Sequence, residues 1–380
     1  MIFTLESLPA SQGDCLLLHY GSTSNPLVAV VDGGPSGVFK RTLRPRLEEL
    51  RTSRADGGTL ELQLVAVSHI DDDHIHGVLD LVKAVAREQE EGRDPSFEIL
   101  GLWHNSFEDV VGGAGPASVP AAVGALAKGS GVGTKGLSKP AKLVAASIGQ
   151  GRNLRDAANA LDLEVNHPFD GLVAAPDTVD WGDGLELVVV GPSRERLDDL
   201  HKAWERDVRR RKPSESKVAA YLDSSVYNLS SIVVLARAKR KTMLLTGDAR
   251  GDDVLAGLRE AGLLRRSPLH VDVLKLPHHG SDRNVETDFF RKIVADHYVV
   301  SADGTDDNPE MATLQMISES RDDDDFVVHM TYSEGNNRLG ERLKAFRAKE
   351  KRAGRKYEMR FPEGDGVPSL TIDLLDPLPD

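Results

Sequence analysis

The stretch that decides the fold is Ser68-His69-Ile70-Asp71-Asp72-Asp73-His74-Ile75-His76-Gly77, where three imidazoles and three carboxylates fall within ten residues. A largely apolar run, Leu62–Ser68, broken only by Gln63, leads into it and reads as a strand buried on both faces. Val78, Leu79, Leu81, Val82 and Val85 follow at helical spacing, so the cluster is a strand-to-helix loop. On such a loop the alternate residues His69, Asp71 and Asp73 can converge, with His74 beside them. Imidazole and carboxylate together suit zinc, manganese or iron. A solvated acidic turn capping the helix accounts for the aspartates. It does not account for the histidines.

Two further strand ends carry the same kind of side chain. Leu244-Leu245-Thr246-Gly247-Asp248 delivers one carboxylate onto a glycine turn, and Leu276-Pro277-His278-His279-Gly280-Ser281 delivers two imidazoles. Metal and substrate ligands commonly sit on such loops of a rigid scaffold. The early chain reads as strands at Met1–Ser7, Cys15–Tyr20 and Leu27–Asp32, with helices intervening later and no βαβ alternation ruling the whole. That pattern favours an α/β (α+β) two-sheet sandwich over a doubly wound sheet. We expect a single domain over 1–380, with a Gly/Ala-rich insertion at about 108–150 and a basic insertion at about 200–225. Val110–Ser138 fits either a lid or an ordered helical hairpin.

The 380 residues are 40 % hydrophobic and 28 % charged, the mark of a globular chain. Lys plus Arg number 47 and Asp plus Glu 60, a net charge of −13, which argues against avid non-specific nucleic-acid binding. Cys15 stands alone, which excludes an internal disulfide framework and a multi-cysteine zinc site. The first residues show no secretory pattern and no apolar run is long enough for a bilayer, so we expect a cytoplasmic protein without a membrane partner. Cationic segments at Arg206–Lys217, Arg237–Lys241 and Lys344–Lys356 are candidates for tracking a phosphate backbone, and Trp103, Phe107 and Trp204 for stacking bases. Each cationic run also fits a solvated helix face or a hairpin turn.

In order and spacing, Ser11-Gln12-Gly13-Asp14, Asp32-Gly33-Gly34, Ser68–His74, Asn228-Leu229-Ser230, Thr246–Asp248 and His278–Ser281 resemble the metallo-β-lactamase fold superfamily, and within it the hydrolase-domain branch of ComEC-type DNA-uptake proteins. The resemblance covers roughly residues 1–300. It implies a four-layer αββα sandwich and two divalent metal ions, zinc or manganese. His69 and Asp71 would hold one ion and Asp73 and His74 the other, with Asp248 bridging. One of His278 and His279 would complete the set, its neighbour bonding a phosphate or donating a proton. Asp73 and His279 are the implied catalytic residues, and His76, Asn228, Ser230 and Ser281 the candidates for substrate contact. Asp14 and Asp32 are implied to support the ligands or shape turns.

The superfamily's usual second histidine is replaced by Asp71, which hardens the site and shifts preference toward manganese or magnesium. The implied reaction is hydrolysis by water activated between two ions. Three readings follow: a phosphodiesterase or nuclease acting on nucleic acid or another phosphodiester; a hydrolase of a small ester, lactone or phosphonate; and a non-catalytic, partner-dependent subunit of a bacterial multi-gene system. A protein partner or a homo-oligomer fits any of them.

Overall fold

A computed structural model describes residues 1–54, 57–110, 139–204, 230–321, 325–355, 358–362 and 368–378. In the first of its two sheets, β1 (Ile2–Ser7), β2 (Leu16–Ser22) and β3 (Asn25–Val31) form an antiparallel meander. β4 (Leu60–Val67) lies parallel to β3, and both β5 (Phe97–Ile99) and β6 (Leu102–His104) lie parallel to β4. In the second sheet β7 (Asp177–Gly182), β8 (Leu185–Gly191), β9 (Val233–Ala238) and β10 (Lys241–Leu245) are antiparallel. From β10 the pairing turns parallel through β11 (Leu269–Lys275), β12 (Ile293–Val300), β13 (Val327–Met330) and β14 (Glu358–Arg360). The last strand, β15 (Leu370–Asp373), returns to pair with β1.

Alternation along the strands sorts the apolar side chains into layers. Phe3, Leu16, Leu18 and Leu64 of the first sheet meet Leu187, Ala236, Met243 and Val273 of the second in one buried cluster. The outer face of the first sheet is covered by α1 (Arg44–Ser53), α2 (Asp72–Glu90) and α3 (Lys139–Ala160). The outer face of the second is covered by α4 (Gly251–Glu260), α5 (Thr287–Lys292), α6 (Met311–Ser320) and α7 (Leu339–Arg352). This is the expected αββα sandwich.

Several local expectations change. The apolar stretch from Phe97 to His104 forms two strands broken at Leu100-Gly101, not one. α4, α5, α6, β7 and β14 escaped the sequence reading, because elements this short show too few periods. α3 begins inside the expected Gly/Ala-rich insertion and packs Ile148, Leu154 and Ala158 on the core. Residues 111–138 and 205–229, which hold nearly all of Val110–Ser138, with Arg206–Lys217 and Asn228, lie outside the described residues, as do the side chains of Phe107 and Trp204.

The parallel strands of both sheets end at one edge of the sandwich, and this positions the chemistry. The Arg237–Lys241 turn joins β9 to β10 at the opposite edge, with Arg237 bonded to Glu186 at 2.9 Å and Lys241 paired with Asp272. α7 starts beside the residues that follow β12, where Asn336 N donates to Asp303 O at 2.7 Å, and leads away from that edge, taking Lys344–Arg355 with it. Trp103 is 1 % exposed, packs edge-on against Phe169 and Trp181 between the sheets, and is no stacking platform for a base.

Candidate metal centre

Five of the strand ends at this edge carry the cluster: β3 before Asp32, β4 before Ser68-His69, β10 before Thr246-Gly247-Asp248, β11 at Lys275 and β12 before Ser301. A backbone hydrogen bond clasps the two sheets across it, Ile232 N to Ser68 O at 2.8 Å, and within the second sheet His278 N donates to Gly247 O at 3.1 Å. Gly247 has φ +50°, and a Cβ there would lie 2.8 Å from Ser68 Cβ, so only glycine lets the edges approach this closely.

Asp248, buried to 2 % exposure, is the centre of the cluster. Its Oδ1 lies 3.3 Å from His74 Nε2 and 3.4 Å from His279 Nε2. Its Oδ2 lies 3.7 Å from His69 Nε2 and 3.6 Å from His278 Nε2. Asp71 stands 3.6 Å from His69 Nε2, and Asp73 3.6 Å from His279 Nε2 and 3.9 Å from His74 Nε2. By nearest distance His69, Asp71 and His278 stand on the Oδ2 side of Asp248, and Asp73, His74 and His279 on the Oδ1 side. The two sides overlap, since ligand atoms of His69, Asp73 and His74 lie within 4.8 Å of one another, as do those of Asp14, His74, Asp248 and His279. Asp71 occupies the N-cap position of α2 but makes no capping bond. Its carboxylate faces the imidazole instead, so the bland helix-cap reading does not describe it.

Each imidazole has its other nitrogen engaged. His74 Nδ1 is 2.9 Å from Asp32 Oδ2, and His279 Nδ1 is 3.0 Å from Ser301 O. His278 Nδ1 is 2.8 Å from Asn284 Oδ1. His69 Nδ1 is 3.1 Å from Ser68 Oγ, whose own proton goes to Asp32 Oδ2 at 2.7 Å. With an acceptor at each Nδ1, the ring can keep that proton and give up the one at Nε2 to a metal. His69 Nε2 and Asp248 Oδ1 are buried there without a hydrogen-bond partner. Convergent imidazole nitrogens and carboxylate oxygens with orphaned buried atoms fit a divalent cation of the zinc, manganese or iron class.

The electrostatics have the same origin. Burial opposes the charge on Asp248, yet His279, His74 and His278 hold its carboxyl well below the usual range. Burial opposes protonation of His279, yet Asp248 and Asp14 push it up to about 9. His74 is likewise raised, against burial, by Asp248, Asp32 and Asp73. Burial, with Asp248 and Asp71 nearby, keeps Asp73 above the ordinary carboxyl range despite His74 and His279.

His76 lies apart, with Nδ1 2.9 Å from Asp72 Oδ1 and 3.0 Å from Gln150 Nε2, joining α2 to α3. Ser281 is buried, and its backbone N–H closes the His278–Ser281 turn at 2.9 Å. Ser230 is buried next to the clasp at Ile232. Sequence reading missed Lys275, Asn284 and Ser301. A lysine closing an apolar strand was the available signal for the first, and nothing in the sequence marks the other two.

No family model matches the chain, and no curated protein does. Among solved structures it is similar to zinc-bound PqqB from Methylobacterium extorquens, at 12 % identity and TM-score 0.39 over 95 % of this chain and 87 % of that one. It is similar also to a protein described as a metal-dependent hydrolase from Parabacteroides distasonis, at 8 % and 0.32 over 94 % and 98 %. A variant of the CmlA β-hydroxylase aligns at 12 % and 0.36 over 98 % of this chain and 54 % of its own. At these values the likenesses say nothing about this chain's chemistry, which rests on its own residues.

Proposed function

We propose that the protein is a metal-dependent hydrolase acting on a phosphoester, a phosphodiester first of all. The observation that carries this reading is the placement of four Nε2 atoms and the Asp71 and Asp73 carboxylates around the two oxygens of Asp248. His69, Asp71 and His278 would hold one divalent ion, Asp73, His74 and His279 a second, and Asp248 both. Such ions supply Lewis acidity and bring the pKa of water toward neutrality. The mixed imidazole and carboxylate donor set suits manganese or zinc.

The chain's own residues set the direction of approach. The side chains of Asp71, His278 and Asp73 are 34 %, 32 % and 25 % exposed, whereas His69, His74, Asp248 and His279 are buried. Substrate therefore enters past Asp71, His278 and Asp73. Asp73, at the mouth, is placed to orient an attacking water and take its proton. The motif resemblance to the ComEC-type branch supports a nucleic-acid substrate. The described basic segments lead away from the site and favour a small phosphodiester, or the second reading, a small ester, lactone or phosphonate.

The test is incubation with Mn²⁺ or Zn²⁺ and bis-p-nitrophenyl phosphate, single- and double-stranded DNA, RNA, p-nitrophenyl acetate and a lactone, with Asp73→Ala as control. Turnover of the phosphodiester, lost in Asp73→Ala, is expected. Turnover confined to the acetate or lactone overturns the phosphoester reading, and absence of bound metal after supplementation overturns both.

A further inference from the structure

The two halves of the centre are backed differently. Behind His69 and His278 stand neutral groups, Ser68 Oγ at 3.1 Å and Asn284 Oδ1 at 2.8 Å. Behind His74 and His279 stand carboxylates, Asp32 at 2.9 Å and Asp14 at 3.3 Å, the latter sharing His279 Nδ1 with Ser301 O. Asp14 is 1 % exposed and forms an ion pair with the ammonium of Lys275, which is 0 % exposed at the end of β11. A buried lysine is costly without a partner, and this one is paired with a carboxylate that lies against the Nδ1 side of His279 and His74.

A carboxylate behind an imidazole fixes its tautomer and makes its other nitrogen a stronger donor to a metal. Lys275 gives Asp14 a charged partner inside the core. It lies four residues before His279 in the same chain segment, so the pair also ties the β11 end to the Gly13-Asp14 turn, where Ser301 Oγ donates to Gly13 O at 2.6 Å. The geometry points to Asp14 and Lys275 as a positioning pair that makes the Asp73–His74–His279 half the tighter half of an asymmetric two-ion centre, leaving the more exposed His69–Asp71–His278 half to exchange its ion. This rests on the two-ion reading above.

The test is the double variant Asp14→Asn/Lys275→Met, which removes both charges together and leaves no unpaired ion in the core. Metal-free parent and variant are titrated with Co²⁺ or Mn²⁺ by calorimetry, with the Co²⁺ visible spectrum and thermal unfolding as parallel readouts. The parent should bind two equivalents of unequal affinity. The folded variant should lose about 10–100-fold in the tighter equivalent and little in the weaker one. An unchanged tight equivalent in the folded variant shows that the pair is only structural and overturns the inference. If the variant does not fold, the parent decides: two equal affinities overturn the asymmetry. Fewer than two equivalents on the parent overturns the two-ion reading itself, and the inference with it.

Discussion

His278 and His279 are adjacent in the chain yet address different oxygens of one carboxylate, His278 Nε2 at 3.6 Å from Asp248 Oδ2 and His279 Nε2 at 3.4 Å from Oδ1. Both residues have left-handed backbones, φ 46° and 55°, which L-residues adopt at a cost. Two successive left-handed residues splay the side chains to either side of Asp248. The motif alone implied a separate duty for one of them, bonding a phosphate or donating a proton; in the structure both Nε2 atoms face Asp248.

Because Asp248 spans both halves, Asp248→Asn should abolish binding of both ions and reduce turnover by at least about a hundredfold. The fold should survive, since the Ile232 N–Ser68 O bond and the buried apolar layer also join the two sheets. Metal content by mass spectrometry and far-UV circular dichroism check this. A variant that unfolds would mean that the cluster is structural.

Asn284 accepts from His278 Nδ1 at 2.8 Å and, through its backbone carbonyl, from Gly251 N at 2.7 Å. Asn284→Ala keeps the backbone bond and frees the ring. The expected result is a loss of about 10–100-fold in affinity for the more exposed ion, with the unfolding temperature nearly unchanged. Equal affinities in parent and variant would show that His278 needs no orienting partner.

Gly77 and Gly33 pack backbone to backbone. A Cβ on Gly77 would sit 1.9 Å from Gly33 O, while Gly33 N donates to His74 O at 2.8 Å. Alanine inside a helix is normally favoured over glycine by about 1 kcal/mol. Here the clash wins: Gly77→Ala should cost about 1–3 kcal/mol by pushing α2 off the β3 turn, and should weaken metal binding by moving His74. Urea unfolding and calorimetry measure the two effects, and a stabilised variant would contradict the close contact.

His329 is buried, with Nε2 3.1 Å from His297 Nδ1, and burial, then His297 and Arg360, push its pKa down to about 3. Between that value and about 6.5 the unfolded chain binds the extra proton, so stability falls as pH drops through this window. Burial works against the charge of Glu6, but His19 and Arg46 hold it at about 2, so it adds the same sign only below its ordinary 4.5. Unfolding free energy measured at pH 7 and 4.5 should therefore drop by about 2–3 kcal/mol less in His329→Gln than in the parent. An identical drop in both would refute the assignment.

Much was legible in the sequence because strands and their ends are local features. Apolar runs closing on His69, Asp248 and His278-His279 can be read residue by residue, and their order along the chain carried the sandwich and the cluster together. The sequence by itself thus determined which side chains stand at strand ends and that their chemistry suits a metal. Only the tertiary structure decided which oxygen of Asp248 each imidazole faces, that Lys275 pairs with Asp14 across 261 residues of sequence, and that the described basic segments lead away from the site while Asp303–Asp307 follow β12 at its edge. Those relations arise where two sheets close face to face, and packing between segments far apart in the chain leaves no periodicity in either one.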